Sequence, residues 1–269
     1  MTSAVLTSRH DAVQVLVMNN PAARNAITAE LYASLPAALA EAEADPQIGA
    51  IVLTGAEGFF CSGGDLRVLG ERRDMAPVQR RERLEGLHDL IRAIRDCGKP
   101  VIAAVEGGAA GAGVSIALAC DMLVAARNAF FSIAYVKVGL TPDGGVTAFL
   151  SEFLSRQLLT ELCLTGDRIT AERMAALGAV NRLSDPGSAQ PDAIALAARI
   201  ADGPSRATAR IKTLCRHAHR ATLDAQLALE AGHMVDALGD DESSEGISAF
   251  FAKRPPHFAA LRRGSDRTT

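Results

Sequence analysis

The stretch Val101–Asp121, VIAAVEGGAAGAGVSIALACD, constrains the fold more than any other part of this chain. It predicts a buried strand over Val101–Val105, then a glycine-rich turn, then a helix that begins near Gly111 and ends around Cys120. Such a junction directs free backbone N–H groups and the positive end of the helix dipole towards one point, where negative charge is favoured. The alternative is a tight crossover in which the small residues only permit close packing.

Length and composition indicate one large α/β domain or a core with a smaller appendage. The 269 residues are 48% hydrophobic and 22% charged, and the net charge of −3 provides no basic surface for nucleic acid. The sequence opens without a signal-peptide pattern, and its apolar runs fall short of the ~18 residues of a membrane span. Five cysteines without metal-ligand spacing predict reduced thiols and no metal site. We therefore expect a cytoplasmic protein that binds neither nucleic acid nor membranes.

Strand, turn and helix patterns alternate along the first part of the chain and recur about every 45–50 residues, which predicts a wound or spiral α/β core. We assign residues 1–185 to this core and residues 186–269 to a helical C-terminal region. The predicted strands are Ala12–Met18, Ala50–Thr54, Val101–Val105, Met122–Ala125 and Ala129–Ile133. The predicted helices are Thr28–Ala44, Pro77–Cys97, Gly111–Cys120, Val146–Leu154, Gln157–Leu164, Thr170–Leu177, Ala189–Ala201, Ser205–His219, Leu223–Leu238 and Glu242–Ala252. Pro36 is expected to kink or divide the first helix, and a basic, polar tail is expected after residue 252.

Two further glycine-rich turns accompany the one after Val105. Phe60–Asp65, FCSGGD, follows the predicted strand Ala50–Thr54, and Pro142–Gly145, PDGG, precedes a predicted helix. Two backbone N–H groups that converge on one oxygen form an oxyanion hole, which stabilises a developing enolate by about 3 kcal/mol per donor. This arrangement suits a thioester carbonyl.

The turns and several shorter motifs together resemble the crotonase superfamily, also called the enoyl-CoA hydratase/isomerase family. The motifs cover nearly the whole chain: Pro21–Ala26, Phe60–Leu66, Lys99–Val105, Cys120–Asp121, Phe131–Ser132, Gly139–Leu140, Leu164–Ile169 and Phe250–Phe258. The resemblance implies an α/β fold, a crotonase-like spiral of repeated ββα units with a C-terminal helical region that builds homotrimers or hexamers. It also implies that the substrate is a coenzyme A thioester and that no cofactor is bound permanently.

The resemblance further implies which residues form the site. The oxyanion hole would consist of the N–H groups of Gly64 and Ala112. Contacts with the coenzyme A thioester would come from Arg24, Ala26, Ser62, Gly64, Asp65, Leu66, Gly108, Ala112, Phe250 and Lys253. Phe250 and Lys253 would belong to this subunit or to a neighbouring one. Arg24 and Lys253 have the charge for phosphates, although plain solvated surface cations are the alternative.

The sequence departs from the hydratases of this family at two positions. Those enzymes use two glutamates as general acid and base, and the matching positions here are Ser115 and Tyr135, which supply no carboxylate. Asp143 lies where related isomerases have an aspartate that moves a proton along the acyl chain. One base beside a stabilised enolate is sufficient for a 1,3-proton shift. We therefore expect an enoyl-CoA-type isomerase in which Asp143 is the base and Tyr135 shapes or hydrogen-bonds the pocket.

Four alternatives remain at this point. Asp143 is also an ordinary residue for a Pro-Asp-Gly turn. The chain could be a hydratase with non-standard catalytic residues, or a degenerate acyl-CoA-binding protein without activity. A halobenzoyl-CoA dehalogenase would use Asp143 as nucleophile, His88 as base and Tyr135 as aromatic donor. His88, however, lies beside the apolar stripe of an amphipathic helix, where a packed or surface histidine is more common. Cys61 lacks a partner base and is expected to be a packed thiol.

Overall fold

The computed structural model describes residues 3–264, which contain two β-sheets. The strands are β1 (Val5–His10), β2 (Val13–Met18), β3 (Ala50–Gly55), β4 (Val101–Val105), β5 (Gly108–Ala110), β6 (Met122–Ala126), β7 (Phe130–Ser132), β8 (Arg168–Thr170) and β9 (Arg182–Ser184). The larger sheet has the order β1-β2-β3-β4-β6-β9, in which only the β1–β2 pair is antiparallel. The smaller sheet has the order β5-β7-β8, with β5 parallel and β8 antiparallel to β7.

Twelve α-helices surround these sheets within residues 3–264. They are α1 (Ala29–Ala44), α2 (Leu66–Glu71), α3 (Pro77–Asp96), α4 (Ala112–Ala119), α5 (Val146–Leu150), α6 (Arg156–Thr165), α7 (Ala171–Ala176), α8 (Ala189–Ala201), α9 (Ser205–Ala218), α10 (Leu223–Leu238), α11 (Asp241–Phe251) and α12 (Phe258–Gly264). Thr28 caps α1 by accepting a hydrogen bond from the Leu31 amide. Helix α1 continues through Pro36, so of the two expectations for this proline, a kink or a division of the helix, the division is wrong. None of the described helices is long and apolar enough to cross a membrane.

The larger sheet is buried on both faces because alternate residues of its central strands enter two different cores. In β3, Ile51 and Leu53 pack in one core with α1, α3 and α4, while Ala50 and Val52 pack in the other. Helix α8 covers this second face with alanines and Leu196. The proposed boundary near residue 185 therefore precedes a helix that packs directly on the sheet.

Four short or exposed strands and two helices were not predicted from the sequence. β5, β8 and β9 have three residues each, which is too short to show a hydrophobic pattern, and most of β1 is exposed. Helix α2 is short, and α12 lies inside the tail that was expected to be merely basic and polar. Residues 265–269 of that tail lie outside the described residues.

Candidate active site

Backbone hydrogen bonds join the first two glycine-rich turns. Cys61 pairs with Ala109 in a parallel β-bridge, where the Ala110 N–H donates to the Cys61 carbonyl oxygen at 2.9 Å. The Cys61 N–H in turn donates to the Gly108 carbonyl oxygen at 3.4 Å. The turn after β3 therefore extends along β5 and ends beside the first residue of α4.

Two glycines allow this close approach. Gly63 has φ +89°, and a Cβ at this position would lie 2.7 Å from the Ala110 carbonyl oxygen and 3.2 Å from the Ala112 nitrogen. A Cβ on Gly113 would overlap the Cys61 carbonyl oxygen. Glycine is thus required on both sides of the contact for steric reasons, and at Gly63 for conformational reasons as well.

The amides of Gly64 and Ala112 are free donors at this junction. Among residues 3–264, neither N–H has a protein acceptor within hydrogen-bond distance. Ala112 is the first residue of α4, a helix whose eight residues are all buried, so its N–H lies at the positive end of a desolvated helix dipole. Both donors line the same cavity and can hydrogen-bond an anionic oxygen there.

The third turn is held against α4 by a serine. Gly144 has φ +60°, and a Cβ there would lie 3.0 Å from both Cβ and Oγ of Ser115. Ser115 is fully buried, and its Oγ donates a hydrogen bond to the Asp143 carbonyl oxygen at 3.1 Å. Ser115 therefore fixes the backbone that carries Asp143, and the contact leaves little room for a longer side chain.

Asp143 and Tyr135 form a hydrogen-bonded pair beside the two free amides. The Tyr135 hydroxyl donates to Oδ1 of Asp143 at 2.8 Å, and the Tyr135 ring lies next to Gly111. Burial raises the pKa of Asp143 above its usual value, while the Tyr135 hydrogen bond and the charges of His88 and Arg72 oppose that shift. Burial and the neighbouring Asp143 both raise the pKa of Tyr135, which keeps this phenol protonated.

A cavity of about 430 Å³ connects these groups. Of the residues that the sequence singled out, it is lined by Ser62, Gly64, Leu66, Ala112, Tyr135 and Asp143. Asp143 provides the one carboxylate among the described lining residues. Aliphatic residues and Tyr32 form most of the remaining wall, together with Arg72, Arg73, Arg80 and Lys137.

Sequence reasoning identified Leu66 of α2 but did not single out the other lining residues of α2 and α3. The amphipathic pattern of α3 indicated that Leu84 and Leu87 face inwards, but not that they line a cavity, and the segment between the two helices shows no hydrophobic period. The pair Arg72-Arg73 was the available signal, since two adjacent arginines follow directly after a glycine-rich turn and a short apolar run.

Six residues with a predicted coenzyme A contact do not line this cavity: Arg24, Ala26, Asp65, Gly108, Phe250 and Lys253. Asp65 caps α2 by accepting from the Arg67 N–H, and Gly108 lies so close to the Phe130 ring that a Cβ would approach it to 2.8 Å. The Arg24 guanidinium lies over the Phe59 ring. Phe250 is 78% exposed. Their contacts with coenzyme A stay predictions.

Two other sequence candidates lie outside the site or are chemically inert. His88 does not line the cavity, and its Nδ1 lies 3.4 Å from a Glu85 carboxylate oxygen on the same helix. Cys61 is fully buried, and burial raises the pKa of its thiol to about 12, so the thiolate is not formed at neutral pH. Residues 3–264 contain no group of three His, Cys, Asp or Glu side chains that could hold a metal ion.

Comparison with known proteins identifies the family. A family model described as enoyl-CoA hydratase/isomerase matches residues 8–261. The chain is 36% identical to a probable enoyl-CoA hydratase of Rhodobacter capsulatus, over 92% of this chain and 95% of that one. It is 35% identical to the 1,2-epoxyphenylacetyl-CoA isomerase of Escherichia coli K12, over 96% and 99%.

The fold agrees with solved structures of the same family. A crystal structure of an enoyl-CoA hydratase from Polaromonas sp. JS666 superposes with a TM-score of 0.91 at 44% identity, covering 94% of this chain and 98% of that one. The predicted α/β crotonase-like fold is thereby confirmed. The chain belongs to the enoyl-CoA hydratase/isomerase family of the crotonase superfamily and is an enzyme of the lyase or isomerase class.

Proposed function

We propose that this enzyme isomerises enoyl-CoA thioesters by a 1,3-proton shift with Asp143 as the single base. The observation that carries this proposal is the composition of the cavity wall. Among the described residues that line it, Asp143 is the one carboxylate, and it shares the cavity with the free N–H groups of Gly64 and Ala112. One carboxylate and one oxyanion hole are sufficient for isomerisation, whereas hydration by the usual route needs a second carboxylate.

In the proposed reaction, the thioester carbonyl oxygen accepts hydrogen bonds from Gly64 and Ala112. The Asp143 carboxylate removes a proton from C2 of a 3-enoyl thioester, and the electron pair of that C–H bond delocalises into a dienolate. The dienolate oxygen carries the new charge, which the two N–H groups stabilise. The protonated Asp143 then returns the proton to C4, so the double bond moves to C2–C3 and no atoms are gained or lost.

Tyr135 and Ser115 support this carboxylate without exchanging protons with the substrate. Tyr135 occupies Oδ1 of Asp143, which leaves Oδ2 for the substrate proton. Ser115 holds the Asp143 carbonyl oxygen. The raised pKa of Asp143 brings its basicity closer to that needed for abstraction of a proton next to a thioester, because proton transfer improves as the two pKa values approach each other.

Hydration is the second candidate, and the names of the relatives favour it. The Rhodobacter capsulatus and Polaromonas proteins are called enoyl-CoA hydratases, and another relative at 34% identity is the 2,3-dehydroadipyl-CoA hydratase of Escherichia coli. In this chain, however, a water molecule would have to be activated by Asp143 alone. The dehalogenase alternative has less support, because His88 does not line the cavity, although it lies near enough for its charge to oppose the rise in the pKa of Asp143 that burial causes.

The test is a panel of 3-enoyl-, 2-enoyl-, dienoyl-, epoxyphenylacetyl- and halobenzoyl-CoA, with the products weighed by mass spectrometry. Isomerisation leaves the mass unchanged, hydration adds one water, and dehalogenation exchanges halogen for hydroxyl. Asp143→Asn should lower the isomerisation rate by about 10³-fold while a saturated acyl-CoA still binds, since loss of a general base costs that order of rate. Asp192→Asn, an exposed position on α8, is the control. Near-normal turnover in Asp143→Asn would contradict the proposed base.

We further infer that the enzyme acts as a homotrimer or hexamer, which agrees with an apolar surface on its C-terminal helices. At least half of each side chain on this surface is exposed: Leu223, Leu227, Met234, Val235, Leu238, Ile247, Phe250 and Phe251. Leu223, Leu227, Met234 and Leu238 lie on one face of α10, because their spacings follow the helical period. A contiguous exposed apolar face of this kind marks an interaction surface. The division at residue 185 and the cytoplasmic location stay predictions from the sequence.

A further inference from the structure

Three arginines that form no ion pair among the described residues line the cavity. Arg72, Arg73 and Arg80 follow one another along the wall that begins at the end of α2 and continues into α3. Within residues 3–264, none of the three forms an ion pair with an aspartate or glutamate. Lys137 on the other wall is paired with Asp167 at 3.8 Å, so the three arginines provide the excess of positive charge over the one lining carboxylate. An otherwise apolar cavity with this excess of positive charge favours a ligand that carries negative charge.

Arg72 lies one helical turn beyond the position of the thioester. A Cβ on Gly64 would lie 3.2 Å from Cδ1 of Leu69, so Leu69 borders the oxyanion hole. Arg72 follows three residues later as the C-cap of α2. Its backbone is still right-handed helical, so it shares this face about 4.5 Å further along the helix axis. An acyl chain whose carbonyl oxygen is held by the Gly64 N–H can therefore run past Leu69 towards the Arg72 guanidinium.

The surroundings of Arg72 indicate that its charge faces the cavity. Both Arg72 and Tyr32 line the cavity, and Arg72 lies close enough for its charge to act on the Tyr32 phenol and oppose a rise in its pKa. Burial raises the pKa of both Tyr32 and Asp143, and in each case Arg72 opposes the shift. The Arg72 side chain is half-buried, whereas Arg73 and Arg80 are exposed. A half-buried guanidinium attracts an anionic ligand more strongly than an exposed one, because water screens its charge less.

We propose that Arg72, assisted by Arg73 and Arg80, binds an anionic group at the far end of the acyl chain. The preferred substrates are then thioesters of dicarboxylic acids, whose free carboxylate pairs with the guanidinium while Leu69, Leu84 and Leu87 contact the methylenes between. This substrate class rests on the proposed function of the same cavity. A phosphate of coenzyme A has the same oxyanion chemistry, and the experiment distinguishes the two sources.

The experiment compares the binding of adipyl-CoA, hexanoyl-CoA and free coenzyme A by titration calorimetry. Adipyl and hexanoyl thioesters have six carbons, differ at the terminal carboxylate and contain no double bond to isomerise. The unmodified enzyme should bind adipyl-CoA at least tenfold more tightly than hexanoyl-CoA. Arg72→Gln should remove that preference and leave the affinity for hexanoyl-CoA and coenzyme A little changed. Arg81→Gln, an exposed neighbour that does not line the cavity, should keep the preference.

Two outcomes would overturn this assignment. One is equal affinity of the unmodified enzyme for adipyl-CoA and hexanoyl-CoA. The other is an Arg72→Gln enzyme that loses affinity equally for all three ligands, which would assign the arginine to a coenzyme A phosphate. Arg73→Gln, at an exposed side chain that folding does not require, should reduce the preference by a smaller factor. Since the saturated thioesters do not react, the result is independent of whether Asp143 catalyses isomerisation.

Discussion

At the scale of single residues, the proposed chemistry of this cavity depends on Asp143. Partial desolvation raises the pKa of its carboxyl group, and the hydrogen bond from the Tyr135 hydroxyl offsets part of that shift. Neither Ser115 nor Tyr135 supplies the carboxylate of a two-glutamate hydratase, yet each contacts Asp143, one at the backbone and one at the side chain. The two substitutions that argue against ordinary hydration therefore also serve to position the remaining acid.

The pH dependence of activity should report this environment. When the solution is acidified, a carboxylate with a raised pKa becomes protonated at a higher pH. The fall of kcat/KM on the acidic side (the acidic limb) should therefore occur at a pH above the usual pKa of an aspartate. Tyr135→Phe removes a hydrogen bond that favours the ionised form, so the limb should move to still higher pH. Ser151→Ala removes an exposed hydroxyl that does not line the cavity and should leave the limb in place. A limb that does not move in Tyr135→Phe would contradict the coupling of the two side chains.

At the scale of elements, the site depends on a close contact between two turns. The turn after β3 and the turn before α4 are each predictable from glycines that follow an apolar strand. Their contact is not, because it arises from the β-bridge between Cys61 and Ala109 and from the space that Gly63 and Gly113 leave. The orientation of the Gly64 and Ala112 amides is a product of this tertiary pairing.

Gly63→Ala should separate the two turns. Alanine at φ +89° is strained by about 1–2 kcal/mol, and its Cβ would also meet the Ala110 carbonyl oxygen and the Ala112 nitrogen. We expect a loss of stability beyond that strain and a fall in kcat of at least tenfold, since one oxyanion donor is worth a hundredfold or more. The matched control is Gly58→Ala, where φ is +73° but nothing lies within 4 Å of the new methyl group.

Denaturant unfolding and steady-state kinetics of both alanine variants distinguish the effect of backbone strain from the effect of separating the two turns. Gly58→Ala should lose only the strain energy and retain its kcat. If the two variants lose equal stability and Gly63→Ala keeps full activity, the contact between the turns does not define the oxyanion hole.

The secondary structure could be predicted where local sequence determines it. β2, β3, β4 and β6 are runs of apolar residues buried on both faces, and their predicted bounds differ from the observed ones by one residue or none. The short strands β5, β8 and β9 exist because neighbouring backbone groups pair with them, so their own residues show no pattern. Helix α2 was not predicted for a similar reason, because its six residues include no buried side chain and therefore show no hydrophobic pattern.

At the scale of the whole molecule, the exposed C-terminal helices bear on whether a neighbouring subunit contributes to the cavity. Phe250 and Lys253, which the family resemblance places at coenzyme A, do not line the cavity of their own chain, and Phe250 is almost fully solvent-exposed at 78%. The apolar face of α10 precedes these two residues in the sequence, and Phe250 itself lies on the next helix, α11. A neighbouring subunit that covers this face could bring the two residues to a cavity other than their own, which would couple assembly to substrate binding.

Met234→Glu should therefore break the assembly and weaken substrate binding at the same time. The side chain is 61% exposed in one chain, and a carboxylate there would have to be buried without a partner in a subunit contact. We expect the mass measured by light scattering to fall towards the 28.2 kDa of one chain and the KM for the thioester to rise at least tenfold. Arg199→Glu, which adds a carboxylate on the exposed side of α8, should change neither quantity. A dissociated enzyme with an unchanged KM would show that each chain carries a complete site, and an undissociated one would place the subunit contact elsewhere.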